Sequence, residues 1–120
     1  MNRILNTKAD QDPNGNPSAR PLVRNDAGMR EASIESVLVR AAKRQGGLAL
    51  KLVCPGAAGI PDRLVLGPGG RVAFVELKAP GQRLRPLQEY RAARLRQLGF
   101  RVETVDSIEA ARRIAQEICG

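Results

Sequence analysis

The chain has 120 residues, with 20 basic against 12 acidic side chains and a net charge of +8; this allows one domain with a modest core and suits a polyanionic partner such as nucleic acid. It contains no His, which excludes metal sites and general bases built on imidazole. Phe74, Tyr90 and Phe100 are its only aromatic residues, too few for single-strand binding on stacked rings. Cys54 and Cys119 have neither metal-ligand spacing nor a disulfide framework, so a reducing, cytoplasmic setting is expected. No apolar run approaches the length of a membrane span, and no membrane partner is expected.

Residues 1–28 include Asp-Pro-Asn-Gly-Asn-Pro-Ser and little apolar periodicity, and read as a disordered accessory extension ahead of a domain at 29–120. From Glu31 to Gln45, Ile34, Val37, Leu38, Ala41 and Ala42 recur at helical spacing, and Gly46-Gly47 supplies the stop. Glu31 and Glu35 both fall on or beside that apolar arc. An acid in the first turn is favoured by the helix dipole, which accounts for Glu31 and leaves Glu35 with less reason to be there. Leu48 to Cys54 reads as a strand, with Lys51 either exposed on it or reaching a phosphate, and Pro55–Gly59 as a loop of small residues that a nucleic-acid backbone can approach closely.

The next stretch carries the most information. Gly59–Leu66 and Arg71–Lys78 carry β-branched and aliphatic runs that flank Gly67-Pro68-Gly69-Gly70, the sequence form of a β-hairpin. If the loop is Pro68-Gly69-Gly70, Gly67 pairs with Arg71 and Asp62 lies opposite Glu76. Directly opposed residues have Cβ atoms about 4.5–5.5 Å apart, where like charges repel, so the pair needs a cation or a proton between its members. Lys78 shares the face of Glu76, and the second run is apolar on both sides, as a central strand is.

After Lys78, Ala79–Gln82 makes a turn and Pro86 opens a helix to Leu98 with Leu87, Leu95 and Leu98 as its core stripe. Gln88 and Arg91 project within or beside that stripe and need partners. Arg83, Arg85, Arg91, Arg94 and Arg96 face Glu89 alone in this region, which makes it the leading candidate for binding a duplex backbone. Phe100 to Val105 reads as a strand, and Asp106 with Glu109 as a capping box for a last helix with the stripe Ile108, Ala111, Ala115 and Ile118. The fold class is α/β with a mixed sheet, its last strand joined by a right-handed crossover.

Pro61-Asp62, thirteen intervening residues and Glu76-Leu77-Lys78 resemble the signature of the PD-(D/E)XK nuclease superfamily. The fuller text Gly-Ile-Pro-Asp-Arg, then Phe-Val-Glu-Leu-Lys-Ala-Pro-Gly, then Gln88, is similar to its VRR-NUC family, the virus-type replication-repair nucleases, over about Arg30 to Ala115. The resemblance implies a restriction-endonuclease-like αβββαβα core with a mixed central sheet flanked by helices, and a metal-dependent nuclease. Asp62, Glu76, the Leu77 backbone carbonyl and Glu35 would then hold Mg²⁺ or Mn²⁺, with Glu31 the alternative helix ligand. Lys78 would act at the attacking water and scissile phosphate, and Gln88 beside them. The expected substrate is structured DNA such as four-way junctions or flaps, met by Lys51, Arg63, Arg83, Arg85, Arg91 and Arg94. Standalone members resemble junction-resolving enzymes that pair as homodimers. The alternatives are a non-catalytic basic DNA-binding module on the same scaffold and, on charge alone, an RNA-binding protein.

Overall fold

A computed structural model describes the backbone of residues 23–120 and the side chains from Arg30 onward. Its elements are α1 (Val23–Arg44), β1 (Leu48–Lys51), β2 (Arg63–Gly67), β3 (Arg71–Leu77), α2 (Pro86–Gln97), β4 (Arg101–Val105) and α3 (Ile108–Cys119). The four strands form one sheet in the order β1-β2-β3-β4, antiparallel across the first two seams and parallel between β3 and β4. This is the expected mixed α/β architecture. Parallel pairing requires a crossover, and α2 is that crossover. Helix α1 begins eight residues before Glu31, in turns that no apolar stripe marks in the sequence. The last part of the stretch read as a tail is therefore helical, and the rest of that expectation, residues 1–22, lies outside the described residues.

One face of the sheet carries the core. Ala49, Val65, Ala73, Val75, Leu77 and Val105 pack against Ile34, Leu38, Ala41 and Ala42 of α1 and Ala111, Ile114, Ala115 and Ile118 of α3. Side chains on a strand alternate, so these positions are every second residue of β2 and β3. Each fully buried Val, Leu or Ile here contributes roughly 1.5–3 kcal/mol. The opposite face is covered only towards β4, where α2 seats Ala92 and the Phe74 and Phe100 rings meet edge to face at 5.6 Å. Leu48 and Leu50, on edge strand β1, are left 49% and 44% exposed.

Three local expectations change. The α2 stripe is not Leu87, Leu95 and Leu98, because the helix touches the sheet mainly through β4 and a small Ala92 makes that seat; Leu87 and Leu98 are exposed. The cap of α3 is Ser107, whose hydroxyl accepts from Ala110 N–H at 3.0 Å, one residue after the expected Asp106. Strand β1 stops at Lys51 rather than Cys54, although Leu52 N–H still donates to the Asp62 carbonyl at 2.9 Å.

Candidate active site

The hairpin has the register that its turn implies. Pro68–Gly70 forms a single 3₁₀ turn with Gly69 and Gly70 at φ 79° and 82°, a region that only Gly enters without strain. Gly67 pairs with Arg71 and Arg63 with Val75, and the next step of the ladder sets Asp62 across from Glu76. There the two strands are tied by side chains. The Asp62 carboxylate accepts from Leu77 N–H at 3.3 Å, and the Asp62 backbone in turn favours the charged form of Glu76.

Both carboxylates open on one polar cleft of about 480 Å³ at the end of β3. Glu31 also lines it, with Lys78, Arg83 and Arg85 as its bases and Gln82 and Gln88 as its amides. Glu76 is only 6% exposed and is the one buried charged residue among those described. Burial raises its pKa, and the Asp62 charge raises it further, against the lowering effect of Lys78. Asp62 is raised as well, first by burial and then by Glu31 and Glu35, which outweigh its bond from Leu77 and the nearby Arg63. Glu76 resists ionising partly because of Asp62, and Asp62 partly because of the helix acids Glu31 and Glu35, as close carboxylates do in a poorly solvated site.

The partners of Glu76 are fixed by α2 and β4. Gln88 takes Arg85 N–H on its Oε1 at 2.8 Å, so its Nε2 faces Glu76 and donates to Oε2 at 2.8 Å. Lys78 Nζ lies 3.7 Å from the same oxygen, and its backbone N–H is held by the Val105 carbonyl at 3.0 Å. Gln82, which the sequence reading passed over, folds back so that its Oε1 accepts from Ala79 N–H at 3.0 Å, closing the turn after Lys78. Its signal was the turn itself, which needs an acceptor for that amide.

The other expected residues divide between the cleft and the rest of the molecule. The helix acid in the cleft is Glu31, whereas Glu35 forms an ion pair with Arg63, which also donates to the Ala49 carbonyl at 3.1 Å. Arg63 points to the helix-covered face because it neighbours Asp62 on a strand and must take the opposite side. Arg91 donates through Nε to the Ala58 carbonyl at 2.9 Å. Arg83, Arg85 and Arg94 are exposed along α2 and the segment before it, and Lys51 is exposed on β1, away from the cleft lining.

The donor set fits a divalent metal of the Mg²⁺ type: two hard carboxylates with raised pKa values face one another, and a cation between them relieves that repulsion. Among the described residues no three acid or thiol side chains are grouped to hold an ion, so the protein supplies few ligands. Mg²⁺ usually keeps several waters beside one or two carboxylates. A second cavity of about 530 Å³ between α1 and α3 has mostly apolar walls and Glu109 as its only acid, and it lacks such a donor set.

Comparison with known proteins points the same way. The family model for the VRR-NUC domain matches residues 54–109, a range that holds Asp62, Glu76, Lys78 and Gln88 and leaves out both helix acids. The phage protein "Putative nuclease p44" of Acyrthosiphon pisum secondary endosymbiont phage 1 is 49% identical over 79 residues, covering 66% of this chain and 85% of that protein. A solved VRR-NUC domain superposes with a TM-score of 0.67 at 30% identity, over 72% of this chain and 95% of the other. Among the described residues no helix is long and apolar enough to cross a membrane. With the mixed sheet and the paired acids in place, the chain belongs to the VRR-NUC family of nucleases, within the PD-(D/E)XK superfamily.

Proposed function

We propose that the protein is a Mg²⁺- or Mn²⁺-dependent endodeoxyribonuclease that hydrolyses phosphodiester bonds in structured DNA, such as four-way junctions or flaps, in replication, repair or recombination. The observation that carries this reading is the opposition of Asp62 and Glu76 across the hairpin, with both acids raised by burial and Lys78 beside Glu76. In this reading Asp62, Glu76 and the Leu77 carbonyl would hold the ion, with Glu31, which lines the cleft, rather than Glu35 on the helix side. When bound, the ion supplies a Lewis acid for the phosphate oxygens and lowers the pKa of a coordinated water. Lys78 directs its ammonium at the charge that develops on the scissile phosphate. Gln88 keeps Glu76 oriented. Arg83 and Arg85 meet the duplex backbone at the cleft wall and Arg94 meets it further along α2, with Lys51 contributing from the sheet edge.

A C₂ homodimer would offer two such sites to a symmetric four-way junction, one per strand. The deciding assay sets purified protein with Mg²⁺, Mn²⁺ or chelator against single strands, duplex, flaps and four-way junctions, with sedimentation in parallel to read the oligomeric state. Cleavage that needs the metal and prefers the branched substrates is expected. Full activity in chelator, or in Asp62→Asn protein, would overturn the reading.

A further inference from the structure

Helix α2 carries two side chains, one turn apart on one face, one of which holds an acid of the cleft and the other the loop that leads to the opposing acid. Gln88 holds Glu76 on β3. Arg91 holds the loop between β1 and β2, its Nε–H donating to the Ala58 carbonyl at 2.9 Å. The loop is pressed against the helix at the next residue. Gly59 has φ 88°, and a Cβ there would lie 2.8 Å from Leu87 Cγ and 3.0 Å from the Leu87 carbonyl, so only Gly fits. Beyond it Pro61 is buried and the Asp62 carbonyl is bonded to Leu52 N–H, so the chain runs from the Arg91 contact into Asp62 with little slack.

We propose that Arg91 is a positioning residue: through its Nε–H to Ala58 it fixes the loop that delivers Asp62 to its place opposite Glu76, so that α2 sets the spacing of the two acids. The inference rests on the nuclease reading of the cleft. It differs from the usual role of an arginine in a basic protein, which is to meet a phosphate. Arg83 and Arg85 are exposed, whereas Arg91 is half-buried, and its Nε already has a backbone acceptor within the fold.

Donor and charge can be separated by substitution. Arg91→Met keeps the stem and loses both donor and charge. Arg91→Gln puts an amide nitrogen where Nε stood and carries no charge, and Arg91→Lys keeps the charge without a donor at that atom. Single-turnover cleavage, duplex affinity at several salt concentrations and hydrogen exchange over residues 55–61 are read for each variant. Arg91→Met should lower kcat about ten- to a hundredfold with KM and the salt slope unchanged, and residues 55–61 should exchange faster. Arg91→Gln should restore most of the lost kcat and the slow exchange, and Arg91→Lys should restore less. The proposal is overturned if Arg91→Gln is as impaired as Arg91→Met. It is equally overturned if the loss lies in DNA affinity, with a shallower salt slope that Arg91→Lys repairs. If the wild-type protein does not cleave DNA, the nuclease reading fails, and the exchange measurement still decides whether Arg91 holds the loop.

Discussion

Two clusters of charge lie on either side of the sheet, and they use similar groups to opposite effect. On the α3 side Arg101 bonds both Glu103, at 2.9 Å, and Glu117. These bonds lower the Glu117 pKa and raise that of Arg101, so those two are held in their charged forms. In the cleft, Asp62 and Glu76 are both raised, chiefly by burial, and the one nearby ammonium, Lys78, reaches only Glu76. Arg113 lies 3.8 Å from Glu117, so the first cluster sets two bases against two acids, and it is open to water; such pairs add little to stability. The second is unbalanced and shielded from water, an arrangement that costs stability unless something outside the chain completes it. The difference teaches where to look for function: at the acids that their surroundings oppose.

The sharpest way to break this contrast is to remove an acid from the unbalanced cluster. Asp62→Asn and Glu76→Gln should each lower cleavage by at least about a hundredfold while leaving duplex affinity unchanged, read by single-turnover cleavage beside a binding titration; Glu117→Gln should alter neither. Gln88→Ala takes away a support of Glu76, and a loss of about ten- to a hundredfold in kcat is expected. If kcat survives in that protein, the bond between Gln88 and Glu76 does not matter to the reaction. Arg83→Ala and Arg85→Ala should leave kcat alone and weaken binding to all sequences alike, each reducing the slope of log affinity against log salt by about 1.

The smallest effect is on stability, and its sign separates the clusters. A raised carboxylate pKa means that ionised Asp62 costs the fold stability at neutral pH. The cost disappears as pH falls through the folded pKa to below the ordinary value of 3.8. Metal-free Asp62→Asn should therefore melt a few degrees higher than wild type at pH 7, with the gap closing as the buffer is acidified. Asn can still accept the Leu77 N–H, so no bond is lost. Glu117 has the opposite sign: its lowered pKa gives stability above the ordinary value of 4.5 that is lost as pH falls through the folded pKa. Glu117→Gln should leave the melting temperature at pH 7 the same or slightly lower.

Much of the site could be read in the sequence because a tight turn converts spacing into geometry. Once Pro68-Gly69-Gly70 is the loop, the register follows, and Asp62 has no place except opposite Glu76. The helix acid was not legible to the same degree. Glu31 and Glu35 are one turn apart on the same arc, and only the rotation of α1 against the sheet, with Arg63 available to take Glu35, separates them. Arg63 and Arg91 were counted among the groups facing DNA because composition records charge and not which carbonyl lies within reach. The α2 stripe was misjudged for a related reason. Its leucines are spaced for a core, yet the helix meets the sheet mainly through β4, so a single alanine is enough.

The parallel seam between β3 and β4 has a consequence for how the protein becomes active. Glu76 and Lys78 end a strand whose outer neighbour is encoded after α2, and Lys78 itself hangs on the Val105 carbonyl. Pairings of this kind join distant parts of the chain and close late in folding. A nascent polypeptide that has not yet released β4 from the ribosome therefore lacks a finished cleft around Glu76 and Lys78. On the proposed function, synthesis itself then sets the moment at which the protein can first attack DNA.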